Sequence, residues 1–410
     1  MVSAPTGQAV RSIDADVRVS VAELTKLAQR LIATPTFLPE QAINAIKIVS
    51  ASLQEEGFEV ERYAPVSEDG VERPFVLGWL GPRTKTPHVL LCAHIDTSPA
   101  GEGWAHAPFG ATQQNGYIYG RGAAVSKSDA ACFIHSSAAA WRAAEKCTGG
   151  TIVVAVTSDE GAGGDFGAAH ILNELKIRPR VAIFPGSTDA LGIAHNGCVQ
   201  FRARIHGASS HQSSLPPAED AMRAAVRICA DIYAEADRLT LDTSKVGFLP
   251  PTLNITKVIG GTVFGMAPSE VEIWVDRRVT PAEDIESVRC GLAELLSAHA
   301  GKDLTELDLE LVRLASPMRS MPEQGHFLSL LRDQAKVVSG RELKDIESPL
   351  YTDARWYSGA DIPTIMYGAG ESDIRASGVN AANERVPLDY LHEATNVLAQ
   401  AMARFLTEEE

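Results

Sequence analysis

Residues 90–129 read LLCAHIDTSPAGEGWAHAPFGATQQNGYIYGRGAAVSKSD. The apolar run Val89-Leu90-Leu91-Cys92-Ala93 has the length and composition of a buried strand. It delivers His94 and Asp96 at its C-terminal end, where parallel sheets place their chemistry. In a His-x-Asp pair one side chain binds a metal or moves a proton while the other orients it. Trp104, Pro108-Phe109, Asn115-Gly116 and Tyr119-Gly120-Arg121-Gly122-Ala123 follow in that order.

The bulk numbers set outer bounds. At 410 residues the chain has room for two domains with proper cores. Hydrophobic residues at 45% and charged residues at 22% describe an ordinary globular protein. A net charge of −15 argues against a nucleic-acid partner or an anionic membrane. The six cysteines are scattered with no C-x-x-C pair, which favours free thiols over disulfides or a zinc knuckle. Residues 1–17 are polar, read as a loose arm without the apolar core of a signal peptide. No run approaches a membrane span, so a cytoplasmic protein is the default expectation.

Taken together, the motifs of residues 90–129 resemble the zinc aminoacylase family, the M20-type peptidases. That family also holds glutamate carboxypeptidase, acetylornithine deacetylase and succinyl-diaminopimelate desuccinylase. The resemblance runs over nearly the whole chain. It implies a two-domain α/β fold, amide hydrolysis and a pair of zinc ions.

The pattern along the chain agrees with such a fold. Helical spacing covers Val21–Leu31, Gln41–Glu56, Ser128–Glu145 and Asp165–Leu175; strands are expected at Phe75–Leu80, Val89–Cys92, Thr151–Thr157 and Arg180–Phe184. This alternation implies a central mixed sheet flanked by helices. The composition changes near Gly197. Val199–His206 alternates as a half-exposed antiparallel strand, and Ala218–Leu239, Thr252–Ile259, Glu270–Arg278, Pro281–Ala300 and Leu307–Val312 continue as helix, strand, strand, helix, strand. The expectation is a catalytic α/β domain, residues 1–198 and 316–410, with an inserted ferredoxin-like α+β lid or dimerisation domain at 199–315. The chain closes on a helix at Leu388–Phe405.

Carried over position by position, the resemblance gives His94 as a metal ligand and Asp96 as the carboxylate that orients it. The family's bridging carboxylate falls on Val125, two residues before Lys127. Asp129 would substitute only with a shift of the backbone. In Asp159-Glu160-Gly161, Glu160 matches the general base and Gly161 stands where a ligand is expected; a slip of one residue would make Asp159 the base and Glu160 the ligand. The carboxylate expected after Val181–Phe184 falls on Pro185-Gly186-Ser187. The last ligand, a histidine ahead of Asn383-Glu384, is Asn380. Of five expected ligands one remains.

Other motifs survive. His211, in Gly207-Ala208-Ser209-Ser210-His211, resembles the lid histidine that steadies an oxyanion across a dimer. Arg278 resembles the arginine that grips a substrate carboxylate, and Gly368-Ala369-Gly370 the loop whose N–H groups receive it. Asp353-Ala354-Arg355 matches a further motif. Arg121, Lys127 and Asn380 join the expected substrate-binding set. His195 reads as structural, and 161–167 is no phosphate loop.

The leading expectation is a hydrolase-like enzyme acting on a C–N or activated acyl bond of a small carboxylate-bearing molecule. It needs no metal, uses Glu160 as base with His94, Asp96 and His211, and forms a homodimer through the lid. Two alternatives stay open. One is a mononuclear zinc or manganese site using His94 with Asp129, Asp159 or Glu160. The other is a non-catalytic binding homologue.

Overall fold

The computed structural model describes residues 17–67, 69–144, 150–241, 249–298, 306–319 and 325–408. Expectations for residues 1–16, Cys147 and residues 299–300 lie outside them. The chain divides into two compact units. One has the bounds Met1–Ile193, Ser320–Ile346 and Thr352–Glu410; the other has Ala194–Arg319 and Glu347–Tyr351. The second takes in 194–198, 316–319 and 347–351 besides the expected lid.

The strands, in chain order, are β1 (Glu59–Tyr63), β2 (Phe75–Leu80), β3 (Val89–His94), β4 (Thr112–Gln114), β5 (Tyr117–Tyr119), β6 (Ile152–Thr157), β7 (Val181–Phe184), β8 (Ala190–His195), β9 (Gly197–His206), β10 (Thr252–Gly260), β11 (Glu270–Val279), β12 (Glu306–Ala315), β13 (Lys344–Ser348), β14 (Thr364–Met366) and β15 (Arg385–Pro387). The main helices are α1 (Val21–Ile32), α2 (Ala42–Glu55), α3 (Lys127–Ala143), α4 (Ala221–Leu241), α5 (Ile285–Ser297), α6 (Gly325–Ser339) and α7 (Leu388–Thr407).

The large mixed sheet runs β1-β2-β6-β3-β7-β14-β8-β13. All residues of β2, β3, β6 and β7 are buried, as helices on both faces require. Helix α3, rich in alanine and serine, is buried along nearly its whole length and packs on α7, α1 and β3. β3 runs parallel to both β6 and β7, and His94 stands opposite Thr157. That register sets the loop after β6 beside the end of β3. The loop after β7 meets the one after β14, where Gly370 N–H donates to the Gly186 carbonyl at 3.0 Å.

In the second unit the elements follow as β9, α4, β10, β11, α5 and β12, and the four strands form an antiparallel sheet of order β10-β11-β9-β12. The alternation read in Val199–His206 is the burial pattern: Val199, Phe201, Ala203 and Ile205 are buried. Ile228, Ile232, Leu292 and Leu296 from α4 and α5 share the core with Val199, Phe201 and Ile205. Gln200, Arg202 and Arg204 face the other way, Gln200 donating to Asp276 and the arginines forming ion pairs such as Arg202–Glu272 and Arg204–Glu310.

Sequence reading passed over β1, β8, β13 and α6. β1 (EVERY) is a polar edge strand without an apolar run. For α6 the signal was present: Phe327, Leu330, Leu331, Gln334 and Ala335 are buried at helical spacing. No helix among the described residues is long and apolar enough to cross a membrane.

A small sheet β15-β5-β4 decides what surrounds the functional loops. Arg385 pairs with Tyr119, which brings Glu384 against Arg121. Glu384 Oε2 accepts from Arg121 Nη1 at 2.7 Å, and Oε1 accepts from the N–H groups of Ala124 and Val125 at 3.0 and 3.3 Å. Arg121 also donates to the carbonyls of Pro99 and Ala100 and lies over the Trp104 ring. The side chains are 2% and 1% exposed. Arg121, expected to bind substrate, has Nη1 and Nη2 taken by Glu384 and the carbonyls of Pro99 and Ala100, while its Nε is buried without a hydrogen-bond partner. Glu384→Gln leaves that cation buried without a counter-charge, and denaturant unfolding of this unit should lose about 3–5 kcal/mol. A loss below about 1 kcal/mol, the range of an exposed pair, would show that the pair is solvated in the folded protein.

Candidate functional site

His94 ends β3 with its backbone locked: Ser126 Oγ donates to its carbonyl at 2.7 Å and accepts from its N–H at 3.0 Å. Its ring Nδ1 lies 3.1 Å from the Asp96 carbonyl and 3.3 Å from Asp96 Oδ1. Nε2 faces Glu160 Oε2 at 4.0 Å. Asp96 also reaches the turn after β6, accepting from Gly161 N–H through Oδ2 at 2.8 Å and from Glu160 N–H through Oδ1 at 3.3 Å. One carboxylate thus fixes the imidazole and the loop that carries Glu160. The three side chains are 11%, 19% and 16% exposed, enough to meet a small molecule.

The charges follow from that geometry. Burial pulls the His94 imidazole down, but Glu160 and Asp96 outweigh it and raise it to about 10. Burial pushes Asp96 up, yet the His94 charge and its hydrogen bonds bring the carboxyl below its ordinary value. The His94 ring thus sits beside Asp96, a carboxyl held below its ordinary value, and faces Glu160 through Nε2.

Behind it lies a second layer of acids. Asp159 Oδ2 accepts from the N–H groups of Phe166 and Gly167 at 2.8 and 3.1 Å, and burial raises its carboxyl. Asp353 is 3% exposed, raised by burial and by Glu160, and lies 3.6 Å from Arg355 Nη1. Arg355 and Trp356 both donate to the Gly163 carbonyl and so clamp the turn that follows Glu160. A side chain at Gly164, where φ is +72°, would stand 2.0 Å from Asp353 Oδ1, so glycine is required there. The burial of Asp353 beside Glu160 was missed in the sequence, where only its motif was visible.

Lys127, Asp129, Asp159 and the 368–370 loop, all among the expected site groups, are engaged within the protein. Lys127 is fully buried and donates to the Thr34 carbonyl at 2.6 Å, and burial lowers its amine to about 7 against the pull of Glu384 and Asp96. It does not face a substrate. Asp129 accepts from Ala369 N–H at 2.8 Å and is raised by burial to about 7. A Cβ on Gly368 would stand 1.9 Å from its Oδ1. Asp129 and the 368–370 loop are thus bound to each other. Ala369 N–H serves Asp129 and Gly370 N–H serves Gly186, so neither waits for a substrate carboxylate. Asp159 is held by its own loop and is not among the grouped ligand atoms.

In the second unit His211 is exposed; its Nδ1 lies 2.8 Å from Ser213 Oγ and accepts from Ser213 N–H. Arg278 donates through Nε and Nη2 to Asp276 at 2.8 and 3.2 Å. The fork expected to grip a substrate is taken up by its own strand.

A dinuclear centre does not fit the donors present. Val125 offers no ligand atom, and its N–H is held by Glu384. Gly161 has no side chain, and a Cβ there would sit 3.1 Å from Asp96 Oδ2. Asn380 is an amide whose Oδ1 accepts from Ser98 at 2.9 Å. Among the described residues His94, Asp96 and Glu160 are the one group of three whose ligand atoms lie within 4.8 Å of one another. Asp96 already orients His94 and the 160–161 turn, so a single cation would meet chiefly His94 Nε2 and Glu160.

Comparison with known proteins agrees with the fold. The family model of peptidase family M20/M25/M40 matches residues 90–404. Succinyl-diaminopimelate desuccinylase of Xanthobacter autotrophicus is 25% identical over 394 residues, covering 93% of this chain and 99% of the relative. Human carnosine dipeptidase 1 superposes with a TM-score of 0.76 at 15% identity, over 97% of this chain and 100% of that one. A dinuclear metal-binding peptidase of family M20 from Bacillus subtilis gives 0.64 at 16%, over 94% and 98%. Matched by the family model from the start of β3 to its last helix, the chain belongs to peptidase family M20/M25/M40 and is a hydrolase.

Proposed function

We propose that this hydrolase works at a metal-independent site, with Glu160 as general base, on a small carboxylate-bearing molecule. The observation that carries the reading is the selective loss at the centre. Val125, Gly161, Pro185-Gly186-Ser187 and Asn380 occupy the positions that the family resemblance gives to ligands. Glu160 and Asp96 keep the positions of base and orienting acid, and a buried framework still holds them.

The Glu160 carboxylate, facing the His94 ring, accepts a proton from a water molecule as the water oxygen attacks an acyl carbon. The same carboxyl then returns the proton to the leaving group as the acyl bond breaks. His94, fixed by Asp96, presents positive charge where the oxyanion develops. Without a Lewis acid to polarise the carbonyl, the bond must be activated by itself, as in a strained or electron-poor amide, an imide, an ester or a lactone. Glu160→Gln should lower kcat by about 10²–10⁴-fold with little change in KM. It should also lower the His94 titration, because it removes the chief group that raises it. In the wild type the stability contributed by the protonated ring is fully present below its ordinary value of 6.5 and is lost as pH rises through about 10. An NMR titration in which His94 does not move in the variant, or unchanged turnover, would remove Glu160 from this role.

A second reading is favoured by the grouping of His94, Asp96 and Glu160 within 4.8 Å. It is a mononuclear zinc or manganese site, which would release the His94 proton on binding. Elemental analysis of protein purified without chelators or a metal-affinity tag separates the two. We expect no stoichiometric metal and activity that survives chelation. About one ion per chain would favour the second reading, and about two would contradict the donor set.

We also propose a homodimer through the second unit. β10 is an edge strand of that sheet, and its Val258 and Ile259 are exposed. On α4, which packs on β10, Met222, Val226 and Tyr233 form an exposed apolar stripe at helical spacing. An open edge beside an apolar stripe suits a second copy of itself. In sedimentation the wild type should run as a dimer and Val226→Glu as a monomer; an unchanged dimer would place the interface elsewhere.

A further inference from the structure

The sheet of the second unit carries a cation that its own carboxylates do not answer. Asp276 on β11 and Arg313 on β12 both stand opposite Gln200 on β9, forming one row across three strands. A bulge between Leu311 and Arg313 sets this register, leaving Val312 without a partner on β9. Asp276 is saturated: it accepts from Arg278 through two nitrogens and from Gln200 Nε2. Arg313 has no share in it. The Arg313 guanidinium lies 5.7 Å from the centroid of Tyr351, and Arg278 lies 5.9 Å from the same ring. Arg313 Nη1 is buried and has no hydrogen-bond partner. Two guanidinium groups and one carboxylate leave one positive charge over. A buried N–H of a charged group without an acceptor is costly, and an anionic oxygen relieves it.

We propose that Arg313, rather than Arg278, is the residue that receives a ligand carboxylate in this chain. Tyr351 holds the Arg313 guanidinium by stacking, and Arg278, locked to Asp276, orders the site without offering its fork. The inference deepens the reading of a carboxylate-bearing substrate and rests on it for its link to catalysis. The binding itself is independent of Glu160.

The test is calorimetric titration of the full chain with N-acetylglycine, against uncharged N-acetylglycinamide as control. The wild type should prefer the carboxylate by about tenfold or more, the range of one charge-assisted hydrogen-bond pair. Arg313→Gln should bring the two probes within about twofold, while Arg313→Lys, which keeps the charge but not the planar fork, should retain part of the preference. Glu160→Gln should keep the full preference, so failure of the general-base assignment and failure of this one give different results. A wild type without preference, or an Arg313→Gln protein that retains it, would overturn the proposal.

Discussion

Asp96 holds the site together. Its two oxygens accept hydrogen bonds from the turn after β6, and its Oδ1 and carbonyl orient the His94 ring at the end of β3. Both contacts depend on β3 and β6 running parallel and in register, since only then do the two strand ends open side by side. The imidazole, in turn, faces Glu160 through Nε2 at 4.0 Å, so one ring stands between the two acids.

The surrounding polar groups are occupied with each other. Glu384 ties Arg121 to the 124–125 backbone, Asp129 ties α3 to the loop after β14, and Arg355 with Trp356 ties down the turn that follows Glu160. Each link joins a loop at the C-terminal end of the large sheet to a distant part of the chain. Buried polar groups persist when they are paired, and these pairs fix loop positions that apolar packing alone would leave loose. The framework holds the loops of the site in place around Val125, Gly161 and Asn380. No link in it runs through those three side chains except the hydrogen bond from Ser98 to Asn380.

Much was legible from the order of residues. The apolar run before His94, the strand–helix alternation and the change of pattern at Gly197 place both sheets, because period-2 and period-3.6 burial leave local marks. The candidate centre was expected from the family resemblance, and the fold brings ligand atoms of His94, Asp96 and Glu160 within 4.8 Å of one another. The departures at Val125, Gly161 and Asn380 can be read only in the sequence, since side-chain chemistry, not backbone shape, decides whether a cation can be held.

Tertiary structure alone decided which charged residues are free. Arg121 and Lys127 look like substrate cations in the sequence, yet one is closed by Glu384, 263 residues away, and the other by the Thr34 carbonyl. The 368–370 loop looks open until Asp129, 240 residues before Ala369, fills its amide. Arg278 and Arg313 both lie over Tyr351, but strand register gives Asp276 to Arg278 alone. Residue type and spacing determine what a group can do. Its partner is chosen by strand register and loop closure over hundreds of residues, and the partner decides whether its charge is spoken for.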